Sequence, residues 1–180
     1  MKISLELGDA DLRYFRERLR AVRSGPHATD EKVVIAGARE LVARVLAAET
    51  PEFVRGRIEK LGLLVRMLED AEWRLEGDDR TRVLEALAYF VDPDDLIPDR
   101  IPGLGYLDDA IMVELVVGEL RHEIEAYEAF CAFRSERPAD RDALEASRLR
   151  LQSRMRRRRR HDVERRRARR SGGRSPISLW

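Results

Sequence analysis

An all-α architecture is what this chain of 180 residues predicts, and three observations carry the prediction. Apolar residues recur at intervals of three and four over long stretches, the period of one helix face. Breakers such as Ser24-Gly25-Pro26, Thr50-Pro51 and Gly77-Asp78 fall between those stretches rather than inside them. The one alternating run, Ile3, Leu5 and Leu7, is too short to define a sheet and reads as an extended arm.

The elements follow in order. Asp9 or Asp11 caps a first helix to about Val22, with Leu12, Phe15 and Leu19 on one side. A second helix spans about Asp30 to Ala48 on the stripe Val34, Ala38, Leu41 and Val45. Thr50 as N-cap and Pro51 at the first helical position start a third. It runs to about Leu75 with a joint near Gly62 and buries Leu61, Leu64, Val65, Leu68 and Trp73. Gly77-Asp78-Asp79 stops the chain and caps a helix from about Arg80 to Val91, which buries Val83, Leu84, Leu87 and Phe90. After a loop from Asp92 to Leu107, a long helix begins at Asp108 or Asp109 and continues until Pro138 interrupts it. Val113, Val117, Leu120, Ile124, Tyr127 and Cys131 form its stripe, on a single rod of about 38 Å at 1.5 Å per residue. Residues 139–170 hold good helix formers but few apolar ones, so a mostly solvated helix is expected there. The domain reading is a helical body at 1–137 and a basic C-terminal extension, helical or disordered, at 138–180.

Charge divides the same way. Residues 147–180 hold 14 arginines against Asp162 and Glu164, whereas the preceding residues carry a net excess of acid. Arg154, Arg156, Arg157, Arg158, Arg159, Arg160, Arg165, Arg166, Arg167, Arg169 and Arg170 make a dense polyanion-binding sequence. Nucleic acid or another polyanion is the expected partner. Docking of the tail on the acidic body is the main competitor, and an anionic membrane surface the lesser one, because too few apolar residues interleave the arginines to sink into lipid. The N-terminus lacks the apolar run of a signal peptide, and Glu114 and Glu119 break the most apolar stretch. A cytoplasmic protein without a transmembrane segment is the expectation.

The loop at 92–109 is the most distinctive stretch. Pro93, Pro98 and Pro102 fix the backbone at three points, Leu96, Ile97, Ile101 and Leu104 supply apolar anchors, and Gly103 and Gly105 permit tight turns. Together they describe a packed corner between two helices. The run Asp92-Pro93-Asp94-Asp95-Leu96-Ile97-Pro98-Asp99, followed by Pro102, Gly105, Asp108 and Asp109, resembles the signature of the YkvA-like family, bacterial domains of unknown function. The likeness covers about 78–113. It implies a small helical domain and assigns no catalytic residue.

Catalytic constellations are sparse. Asp92, Asp94, Asp95, Asp99, Asp108 and Asp109 crowd six carboxylates together, which suggests a hard-cation site and, as an alternative function, a metal-dependent hydrolase. Their spacing is not that of an EF-hand loop, and helix capping with turn chemistry is the preferred account of these carboxylates. Glu119 and His122 have the i, i+3 spacing of di-iron bundles, but only a single copy is present. Cys131 has no histidine near it in sequence and reads as a buried thiol. No catalytic, cofactor or metal site is assigned. The expected role is a non-enzymatic binding or scaffold module with a polyanion-binding tail.

Overall fold

The computed structural model describes residues 30–91 and 106–171, with the backbone alone at 91, 107 and 169–171, and the isolated positions 13, 14, 17 and 21. Those four isolated positions are helical, as the first predicted helix requires; the arm at 2–7 lies outside the described residues. The remainder is all-α, with no strand among the described residues. In chain order it has α1 (Glu31–Ala47), α2 (Glu52–Glu69), α3 (Gly77–Leu87), a 3-10 turn (Ala88–Val91), α4 (Leu107–Glu119), α5 (Arg121–Glu136) and α6 (Arg141–Ser171). The chain divides into two compact units, Met1–Leu120 and Arg121–Trp180.

In the first unit, Asp30 caps α1: its Oδ1 accepts from the Lys32 amide at 2.9 Å and the Val33 amide at 3.4 Å. This satisfies two of the donors that a helix start leaves open. Val34, Ala38, Leu41 and Val45 are buried, the face that the spacing predicts. They pack against α2, α3 and the 3-10 turn, and α2 packs in turn against α4. Ile58, Leu61, Leu64 and Met67 of α2 are wholly buried. Each such side chain contributes about 1.5–3 kcal/mol on leaving water.

The start of α2 differs from the prediction. Pro51 is the N-cap residue, and its carbonyl accepts from the Val54 and Arg55 amides. The Thr50 hydroxyl turns back instead to donate to the Val45 carbonyl at 3.3 Å, closing the α1–α2 connection. The joint expected at Gly62 is absent, and α2 runs through it; a Cβ there would meet Val42 Cγ1 at 3.6 Å. The joint falls at Asp70, whose Oδ1 accepts from the Glu72 and Trp73 amides, each at 3.0 Å. Arg74 and Gly77 then take positive φ, 45° and 56°, which reverses the chain and tucks Trp73 into the core. Arg80 binds this corner: it donates to the Leu68 carbonyl at 2.7 Å and the Leu75 carbonyl at 3.3 Å, and pairs with Glu31. The shared hydrogen bonds, despite partial burial, raise the Arg80 pKa and lower that of Glu31.

The helix predicted from Arg80 to Val91 begins earlier, at Gly77, and tightens into a 3-10 turn at Ala88. Val83, Leu87 and Phe90 are buried as expected, while Leu84 is only half-buried. The single rod expected from Asp108 is two helices. Leu120 leaves helical geometry, with φ −97° and ψ 15°, just past Gly118, a poor helix residue. A break of one residue is invisible to a stripe counted in threes and fours: Val113, Leu120, Ile124 and Tyr127 are buried, whereas Val117 and Cys131 are half-buried and Val116 and Phe130 take interior places. Asp108 does not cap α4. The helix begins at Leu107 after Tyr106, placing Asp108 and Asp109 in its first turn, where the helix dipole favours carboxylates.

Candidate polyanion-binding site

The second unit is a hairpin of α5 and α6. Asp140 starts α6 by accepting from the Ala143 amide at 3.0 Å. From there the inward stripe of α6 is Leu144, Arg148, Leu151, Met155, Arg159 and Asp162, at helical intervals. Leu144 and Met155 are apolar and buried, facing a hairpin whose α5 buries Ile124, Tyr127 and Phe130. Polar places on the stripe are answered by charge. Arg159 Nη1 donates to Glu123 Oε1 at 2.7 Å, and Glu123 has no exposed surface. Arg158 pairs with Glu125. Arg148, mostly buried, pairs with Glu145 one turn earlier, its Nε donating to Glu145 Oε2 at 3.1 Å.

At the start of α5, Asp162 is shared. Its Oδ2 lies 2.8 Å from His122 Nε2 and also accepts from Arg121. His122 is held below its usual pKa first by burial and then by the Arg121 and Arg158 guanidiniums, against a weaker opposite pull from Glu125 and Glu123. Beside these groups opens a hollow of about 500 Å³ lined by Arg121, His122, Arg157, Arg158, His161, Asp162 and Arg165.

The arginines of α6 thus serve two faces. Arg148, Arg158 and Arg159 are tied to carboxylates of the hairpin itself. Arg154, Arg157, Arg160, Arg165, Arg166 and Arg167 are exposed and make no ion pair among the described residues. Arg156 is exposed too and makes contacts of its own. The side chains of Arg169 and Arg170 lie outside the described residues. Charge counting alone does not separate the two sets. The signal that does is the apolar stripe Leu144, Leu151 and Met155, which extended by its own period runs into Arg148, Arg159 and Asp162. Glu123 and His122 are buried sites that the sequence reading missed, since neither residue type announces burial.

Of the Asp-rich loop, Asp92, Pro93, Asp94, Asp95, Leu96, Ile97, Pro98, Asp99, Pro102 and Gly105 lie outside the described residues. Asp108 and Asp109 are both buried at the start of α4. No cluster of three or more potential metal ligands occurs among the described residues. Glu119 and His122 fall on two successive helices rather than on one continuous helix. Cys131 is half-buried, with Arg134 Nη2 3.7 Å from its sulfur. No described helix is long and apolar enough to cross a membrane.

Comparison with known proteins adds a family without an activity. Residues 80–115 match the family described as "Protein of unknown function (DUF1232)". The chain is 35% identical over 77 residues to "Uncharacterized membrane protein YkvA" of Bacillus subtilis (strain 168), a match that covers 39% of this chain and 71% of that protein. No solved structure matches.

Proposed function

The chain belongs to the YkvA-like family of proteins of unknown function, and within it we propose a non-enzymatic binding module that holds duplex nucleic acid by its phosphates through the exposed arginines of α6. The observation that carries the reading is the division of the α6 arginines. Those facing α5 are consumed by Glu123 and Glu125, and six on the remaining surface are exposed without an ion pair among the described residues. Guanidinium is the side chain best suited to bidentate phosphate contact. No Phe, Tyr or Trp lies among Arg154–Arg170 to stack on a base, so contact is to the backbone and blind to sequence. Residues 80–115, where the family match lies, form part of the first unit, so this activity is a property of the attached hairpin.

The test is a titration of the full chain against unrelated duplexes of equal length. Equal affinities, unchanged by EDTA and steeply weakened by salt, support the reading. Loss of binding in EDTA points to metal chemistry at the Asp-rich loop instead. The Bacillus relative is named a membrane protein, so vesicles of anionic lipid form the second arm. Binding to vesicles but not to duplex at low salt overturns the nucleic-acid reading.

A further inference from the structure

We propose that the hollow between the start of α5 and the second half of α6 is a discrete binding site for the diphosphate group of a small anion. Four guanidiniums line it, those of Arg121, Arg157, Arg158 and Arg165, against the one carboxylate of Asp162. Its volume of about 500 Å³ accommodates a compact, multiply charged oxyanion with its water. Arg157 and Arg165 are exposed and make no ion pair among the described residues. Arg121 and Arg158 are anchored by Asp162 and Glu125. A guanidinium carries five N–H donors, so each keeps donors to spare after meeting one carboxylate. The anchored pair is therefore pre-oriented, and the unanchored pair closes on the ligand from the α6 side.

His122, more than nine-tenths buried and held at Nε2 by Asp162, fixes the single carboxylate on the wall, so the four guanidiniums set the charge of the hollow. With His161 also on the wall, the lining offers donors at several angles, which suits two linked phosphates better than a planar carboxylate. No Trp, Tyr, Phe or aliphatic side chain lines the hollow to recognise a base or sugar, so the diphosphate group is the determinant.

The site shares Arg157 and Arg165 with the nucleic-acid reading but adds Arg121 and Arg158, and a chain that ignores duplex can still hold diphosphate. Isothermal titration of the full chain with inorganic pyrophosphate tests it. One anion per chain is expected. Arg157→Ala combined with Arg165→Ala, at two exposed positions, should weaken binding at least about tenfold while leaving the circular dichroism unchanged. Arg141→Ala combined with Arg150→Ala removes the same charge from the same helix, away from the hollow, and should change affinity less than about twofold. Adenosine diphosphate binding at the same site with similar affinity counts in favour. Equal losses in the two double variants, several anions per chain, or no saturable binding at low salt overturns the proposal.

Discussion

The two units of this chain solve the same problem, joining helices, with different chemistry. In the first, α1 and α2 meet through Val34, Ala38, Leu41, Ile58, Leu61 and Leu64, with the Arg39–Glu69 pair at the margin of that joint and the unit's buried carboxylates, Asp79, Asp108 and Asp109, on α3 and α4. In the second, polar and charged groups enter the joint itself: Glu123 is fully enclosed, and His122, Arg148 and Gln152 are buried. An apolar joint holds no titrating group and no ion pair to screen, whereas a joint made of carboxylates and guanidiniums depends on pH and on ionic screening. The second unit spends some of the arginines of α6 on its own cohesion, and those left over are the ones available to a partner.

Four substitutions and a titration can break or sharpen that contrast. The largest effect is expected from Trp73→Ala, which empties the biggest fully buried site of the first unit and should cost about 3–5 kcal/mol in urea unfolding. A loss under about 1 kcal/mol would mean that Trp73 is not central to the apolar joint. Next comes Arg159→Met, which takes one partner from the enclosed Glu123 carboxylate and should cost about 1–3 kcal/mol, with the loss confined to the hairpin. No loss would show that the α5–α6 joint stands without this pair. The acid response of the hairpin is smaller. The folded-state pKa of His122 lies below its unfolded value of about 6.5. Below that pH the unfolded chain takes up a proton that the folded one refuses, so stability is full above it and declines as pH falls. His122→Gln should flatten that decline below about pH 6.5. The smallest effect belongs to Arg39→Ala, at a pair with both side chains well exposed, and should stay under about 1 kcal/mol.

Much of the first unit is legible in the residues. The α1 stripe and the helix start near Asp30 follow from spacing and composition, and so do the buried Leu61, Leu64, Leu68 and Trp73. What spacing misses are events of a single residue: the exit of Leu120 from helical geometry, the helix start at Glu52 rather than Pro51, and the turn at Asp70. Each depends on a φ/ψ choice or a local hydrogen bond that leaves the apolar period almost unchanged. The candidate site is half legible. Its arginines are conspicuous as a run, but which of them face inward depends on α5, and the partners Glu123 and Asp162 lie 36 residues before Arg159 and 40 after His122. No local pattern links positions so far apart.

The central claim is that the outward arginines bind phosphate while the inward ones hold the hairpin. The salt dependence of duplex binding tests it most directly, compared between the full chain and one carrying Arg154→Ala, Arg160→Ala, Arg166→Ala and Arg167→Ala. If about six arginines engage, log K should fall against log salt with a slope near −5 for the unmodified chain and near −2 for the variant, since each phosphate contact adds about 0.9. An unchanged slope, or one that falls only when Arg158 and Arg159 are replaced instead, would contradict the account.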